Sequence, residues 1–177
     1  IQQVFARPEG KETSRLLALE SITLLKNKGN LLPLARDLKS IAVIGPIADS
    51  IRCLLGDYNY VSFTEGVVGM IRSIVTELKI DPSELGDLVA HHAATFKDYL
   101  ENDEGEEMAR NNYDVASVLE SIRAVLGKKT RVMHAKGCTL QGTSTKGFEE
   151  AIAAAKQADV AILVLGGKSG LDYTCTS

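Results

Sequence analysis

A chain of 177 residues, 45% hydrophobic and 24% charged, has the makeup of a globular domain with its own core. A net charge of -3 offers no electrostatic footprint for nucleic acid, and no apolar run approaches the roughly 20 residues of a membrane span, so neither partner is expected. Cys53, Cys138 and Cys175 are odd in number and lack any CxxC pairing, which argues against a disulfide framework and against a zinc site; no metal or cofactor is expected.

Residues 1–11 are polar and irregular, with Pro8 and Gly10, and read as a linker arriving from something upstream. No basic segment leads into an apolar one, so no leader is visible; with reduced thiols this favours the cytoplasm, secretion remaining open if a leader was lost. The missing Met and the abrupt stop at Ser177 are read as marks of a piece of a longer protein. A helix is expected over 12–28, where Leu16, Leu17, Leu19, Ile22, Leu24 and Leu25 wrap most of the circumference and imply burial. Lys26, Lys28 and Gly29 supply its stop, and NLLPL after it suits an apolar connector.

SIAVIG at 40–45 is the first expected strand, closed by Gly45 and Pro46. The following GPIADS lacks the G-x-G-x-x-G spacing, so a dinucleotide site is not supported. Residues 46–62 read as a loop holding Gly56, Asp57, Tyr58, Asn59 and Tyr60. Helical periodicity returns over 67–78 and 85–100, while 101–107 carries five carboxylates that favour a solvated, mobile turn. The block 63–112 is accordingly taken as a helical insertion.

A helix over 115–126 places Val115, Val118, Leu119, Ile122 and Leu126 on one face, and 130–135 is a second strand. Thr143, Ser144 and Thr145 are candidate N-caps for a helix carrying Phe148, Ile152 and Ala155 on one stripe. VAILVL at 160–165 has no polar alternation, the pattern of a parallel strand covered on both faces.

This alternation predicts a doubly wound, mostly parallel α/β sheet sandwiched by helices, incomplete because three strands are few for the type. Right-handed crossovers permit 41–44 in the centre, with 130–135 and 160–165 on its two sides. Ligands of such sheets bind beyond the carboxyl ends of the strands. Asp49, Asp57, Tyr58, Ser169 and Asp172 would then share one crevice, with 166–177 as the loop best placed to touch a substrate.

The stretches ESITLLKNKGNLLPL, IAVIGPIADS, LLGDYNY and HAKGCTLQGTSTKGFEEAIAAAKQADVAILVLGGKSG, in that order, resemble the C-terminal α/β sandwich domain of glycoside hydrolase family 3, which contains β-glucosidases and β-xylosidases. The resemblance leaves 63–112 mostly outside it. It implies a retaining glycosidase acting on terminal β-D-glucosyl or β-D-xylosyl residues, with a (β/α)8 barrel ahead of this domain carrying the aspartate nucleophile. The sandwich domain, here 12–177, would provide a glutamate acid/base on the loop after the strand at 160–165. Such an enzyme needs two carboxylates roughly 5 Å apart, one to attack the anomeric carbon and one to protonate the leaving oxygen.

This chain departs from the family pattern at that loop. Where relatives place a Gly-Glu pair after a GLxxxCTS loop the sequence ends at Ser177, and where others place glutamate after Ser-Gly it has Leu171. No catalytic residue is therefore assigned within the chain, and the chain alone is expected to be inactive. Asp172, the only carboxylate of that loop, would need a raised pKa to act as the acid and is better read as a turn residue or a sugar-hydroxyl acceptor. Asp57, Tyr58 and Tyr60 offer a carboxylate and flat aromatic faces for a pyranose, and Ser169 a hydroxyl; packing of the tyrosines on the domain's own surface is the plainer alternative.

His91 and His92 are adjacent on a helix and point about 100° apart, wrong for one shared metal. His134 reads as structural, and Ser169 in GKSG lacks the full G-x-S-x-G elbow of a nucleophile. The rival to the glycosidase reading is a non-catalytic carbohydrate-binding or partner-docking module of flavodoxin-like topology.

Overall fold

The computed structural model describes residues 7–79, 104–170, 175 and 176. The chain divides into two compact units, Ile1–Arg36 and Asp37–Ser177.

In the first unit, helix α1 (Pro8–Ser21) starts with proline in its first turn and ends where Ile22 turns extended. It begins earlier than expected, inside the stretch read as linker, because proline's fixed φ favours a helix start. It also stops earlier, because Ile22 and Thr23 are β-branched and gain little from helix. None of its residues is buried, contrary to the expected burial: leucines spread round a helix define no stripe.

The second unit is built on a parallel sheet of β1 (Ser40–Ile44), β2 (Arg131–Ala135) and β3 (Val160–Leu163), in the order β2-β1-β3. Val43 stands opposite His134 on one side and Ile162 on the other. The expected order, with the first strand central, is the one observed. All five residues of β1 are buried, as its unbroken apolar run requires of a strand paired on both edges.

Helices α2 (Tyr60–Leu78) and α3 (Glu104–Asn112) lie between β1 and β2, followed by α4 (Val118–Leu126), and α5 (Phe148–Lys156) connects β2 to β3. Helix α4 opens with a capping box, Ser117 accepting from the Glu120 amide at 3.1 Å while Glu120 accepts from the Ser117 amide at 2.7 Å. Its Leu119, Ile122 and Leu126 pack against Ile41, Val43, Val132, Ile162 and Val164 on one face of the sheet. Ala151, Ala154 and Ala155 of α5 cover Ala42, Ile44, Met133 and Ala135 on the other. Helices on both faces make the sheet doubly wound, and burying each of Ile41 and Val43 contributes about 1.5–3 kcal/mol.

Several local expectations are corrected. Helix α2 starts at Tyr60 because Asn59 caps it, its side-chain oxygen accepting from the Ser62 amide at 3.0 Å. The acidic stretch expected as a mobile turn is helical from Glu104, and Ala109 is buried against Ile51 and Val61. Helix α5 has Gly147 at its N-cap with no side-chain cap, so Thr143, Ser144 and Thr145 do not serve there. Strand β3 is covered on one face only: Ile162 and Val164 pack inward, while Leu163 and Leu165 are 63% and 64% exposed, because α5 packs over β2 and β1. The helix expected over 85–100, with His91 and His92, lies outside the described residues. No described helix is long and apolar enough to cross a membrane.

At the amino end of the sheet, Asp159 latches β3 to β1. Its carboxylate accepts from the backbone amides of Lys39 and Ser40, both at 2.9 Å, and from the Ser40 hydroxyl at 3.2 Å. The hydrogen bond from the Ser40 amide, followed by that from Lys39, holds this carboxyl below its ordinary range. A carboxyl depressed in the folded state stabilises fully above its unfolded pKa and loses that contribution as pH falls through the folded one. Asp159→Asn is therefore expected to be less stable than the parent at pH 7, and the gap should close on acidification below about pH 4. Urea titrations of both proteins across that range check it; a gap independent of pH would contradict the latch.

Candidate functional site

The carboxyl tips of the strands are drawn together by backbone contact. Gly45 donates to the Ala135 carbonyl at 3.1 Å, and the Val164 amide donates to the Ile44 carbonyl at 2.7 Å. Gly45 has φ +150°, and a Cβ there would overlap the Val164 carbonyl, so glycine is needed on both counts. Sequence continues from these tips into a short helical turn at Arg52–Leu54 and the Gly56–Asn59 bend after β1, and into the Gly166–Gly170 loop after β3.

Between the tips lies a crevice of about 180 Å³ whose lining includes Gly45, Asp49, Arg52, Glu106, His134 and Lys168. It is bordered by the end of β2 as well as by β1 and the loop after β3. Its polar groups are largely engaged with one another. Glu106 accepts from the Ser50 hydroxyl at 2.8 Å and from the amides of Ile51 and Arg52 at 2.9 and 3.1 Å, and pairs with Arg110 at 2.9 Å. Asp49 accepts from the Ser117 hydroxyl at 2.8 Å and lies 3.4 Å from Arg110. The His134 ring nitrogen Nδ1 lies 3.0 Å from the Val43 carbonyl, in keeping with a structural role. Burial pulls the Arg110 pKa down, but the Glu120 hydrogen bond and the charges of Glu106, Glu120 and Asp49 outweigh it and hold the guanidinium above its ordinary value. The Ser117 amide, then Arg110, keeps Glu120 below the usual carboxylate range.

A second cluster joins the two loops. Glu65 of α2 is 4% exposed and Arg52 3%, and they pair directly, with Arg52 Nε donating to Glu65 Oε2 at 2.7 Å. Lys168 Nζ approaches Glu65 Oε1 at 3.0 Å, and Arg52 also donates to the Ser169 carbonyl at 2.8 Å. The Ser169 hydroxyl in turn donates to the Asp57 carboxylate. Gly170 lies so close to the Arg52 guanidinium and Cys175 that a side chain there would press on both.

Of the residues expected to share one crevice, Asp57 and Ser169 meet directly. Asp49 lines the crevice itself, tied to Ser117 and Arg110. Tyr58 is wholly exposed and Tyr60, in the first turn of α2, is 61% exposed, so neither ring packs away on the domain's own surface. Asp172 lies outside the described residues. Among the described residues no group of His, Cys, Asp and Glu side chains is arranged to hold a metal ion.

Sequence reasoning missed Glu65, Arg52, Glu106 and Lys168. One signal was available: Val61, Glu65 and Val68 recur at helical spacing, all three are buried, and a glutamate on an apolar stripe requires cationic partners. Nothing local marks which cations those are, since Lys168 and Arg52 come from distant segments.

The fold defines an α/β domain whose loops after β1 and β3 gather at the carboxyl ends of a parallel sheet, the end at which sheets of this type generally bind ligands. The family model described as "Glycosyl hydrolase family 3 C-terminal domain" matches residues 22–174, and the chain belongs to that family. It is 31% identical over 159 residues to a beta-xylosidase of Formosa agariphila, covering 89% of this chain and 16% of that protein. To a periplasmic beta-glucosidase of Salmonella typhimurium it is 29% identical over 171 residues, covering 94% of this chain and 18% of the relative. A lysosomal beta glucosidase of Dictyostelium discoideum is 29% identical over 128 residues, 67% of this chain and 16% of that protein. The chain thus spans less than a fifth of each of these relatives.

Because Gly45 meets Val164 backbone to backbone, Gly45→Ala is expected to lower stability by about 3 kcal/mol through strain at positive φ and overpacking. Urea unfolding would show this as a lower midpoint at unchanged slope. A midpoint equal to the parent's would mean that the strand tips do not approach as described.

Proposed function

We propose that this chain is the part of a β-glycosidase that completes the active-site cleft, the substrate carrying a terminal β-D-glucosyl or β-D-xylosyl residue. The observation that carries the reading is the meeting of Asp57 and Ser169, which brings the loops after β1 and β3 to one surface beside exposed Tyr58 and Tyr60. Family membership and the names of the relatives supply the chemistry. On this proposal a (β/α)8 barrel of the same protein contributes the aspartate nucleophile, and the mechanism retains anomeric configuration through a second carboxylate roughly 5 Å away. Residues 1–11 are the arriving linker, its last residues already in α1, and 63–112 is a helical insertion in the sandwich domain 12–177.

Within the cleft, Asp57 is held half-buried with one oxygen taken by Ser169, leaving the carboxylate oriented to accept from a sugar hydroxyl. Tyr58 and Tyr60 offer rings to the apolar face of a pyranose, and Asp172, three residues on from Ser169 in sequence, is proposed as a further acceptor. No group of this chain attacks the anomeric carbon. The chain is accordingly an incomplete catalyst.

The purified chain is expected to release no leaving group from aryl β-glucosides or β-xylosides, whereas the intact protein does so. In the intact protein Asp57→Asn should lower kcat/KM about tenfold, the worth of one charge-assisted hydrogen bond. Hydrolysis by the chain alone above buffer, or an intact protein inert toward both glycosides, would contradict the reading.

A further inference from the structure

The cluster around Glu65 is larger than the burial of one ion pair requires. Removing two cations and a carboxylate from water is costly, and a buried pair often adds little net stability over an apolar one. What the arrangement does supply is connection between segments remote in sequence. Glu65 sits on the buried stripe of α2, Arg52 in the turn after β1, and Lys168 with Ser169 in the loop after β3. The carboxylate receives Arg52 on Oε2 and Lys168 on Oε1, so each of its oxygens holds a different loop. Arg52 then reaches on to the Ser169 carbonyl, and the Ser169 hydroxyl closes the circuit on Asp57, in the bend that leads into α2.

Each link is directional. The guanidinium is a planar fork that spans Glu65 and the Ser169 backbone at once, and a lysine in its place would not reproduce both contacts. The absence of a side chain at Gly170 lets the loop lie against that fork. Lys168 is 13% exposed, and its ammonium ends on the same carboxylate.

We propose that Glu65 is the positioning residue of the cleft: its buried carboxylate clips the loop after β3 to the loop after β1, and thereby sets Asp57 and Ser169 in register. It touches no substrate and acts through Arg52, Lys168 and Ser169. The kinetic part of this inference rests on the glycosidase reading of the cleft, while the structural part does not.

The experiment uses the intact protein with Lys168→Met, which loosens the clip from its more accessible side, and Glu65→Gln, which keeps size and removes charge. Amide hydrogen exchange is expected to accelerate about tenfold in both 166–170 and 56–59 while amides of 41–44 keep their protection. KM for an aryl β-glycoside should rise about tenfold with a smaller change in kcat, and Lys168→Arg should restore both readouts. Combining Lys168→Met with Asp57→Asn should raise KM little beyond either change alone, since both act on one element. Faster exchange confined to 166–170, or fully additive effects on KM, would overturn the positioning role. Should Glu65→Gln fail to fold, Lys168→Met carries the same comparison. If the parent protein cleaves no glycoside, the cleft reading falls, and the exchange pattern alone decides whether the clip exists.

Discussion

The structure depends on a close backbone approach: the end of β1 lies so tightly against β3 that only glycine fits at position 45. A parallel sheet places the carboxyl ends of all its strands on one side, so loops leaving adjacent strands necessarily start as neighbours. Gly45 turns that neighbourhood into contact. From there the chain has two ways to use the proximity, and it uses both. One set of polar side chains, around Glu106, Asp49 and Arg110, braces the crevice against α3 and α4. The other, around Glu65, brings the two loops onto each other and presents Asp57 with Ser169.

These two sets explain why a charged interior does not make this crevice an obvious binding pocket. Glu106 is surrounded by donors from Ser50, Ile51, Arg52 and Arg110, which satisfies a carboxylate and leaves it little capacity for a ligand. Buried polar groups that are fully met contribute rigidity rather than affinity. The surface proposed to take a sugar lies outside that network, where Tyr58 is bare and Asp57 has a neighbour on one oxygen. A rigid scaffold with binding groups on its loops is a common division of labour in α/β proteins.

Much of the fold was legible in the sequence, for physical reasons that can be named. The strand at 40–45 reads as buried because four apolar residues end on Gly-Pro, and the strand order follows from right-handed crossovers once three strands and the intervening helices are placed. The family resemblance was legible too, since it rests on four ordered stretches. Burial on the outer face of β3 was misjudged because an apolar run reports what a face prefers and not whether a helix reaches it; α5 stops over β1 and β2. The described part of the acidic stretch, 104–107, is helical where a mobile turn is expected: like charges repel in isolation, whereas Glu106 is held by donors some fifty residues upstream. Asp57 and Ser169 were legible as candidates from their loops, but their contact was not, since hydrogen bonds between distant segments leave no periodic trace. Glu65 alone could have been caught, as the charged member of an apolar stripe.

The proposed cleft exists only if the loops after β1 and β3 meet at Asp57 and Ser169. The most direct measurement is cross-linking of a protein carrying Asp57→Cys and Ser169→Cys, with Cys53, Cys138 and Cys175 changed to serine, under mild oxidation. Side chains within hydrogen-bond reach bring their Cβ atoms near the range a disulfide bridges, so rapid and nearly complete intramolecular bond formation is the expected result. Two cysteines that stay reduced, each still reactive toward a soluble thiol reagent, would show that the loops do not converge and would contradict the account.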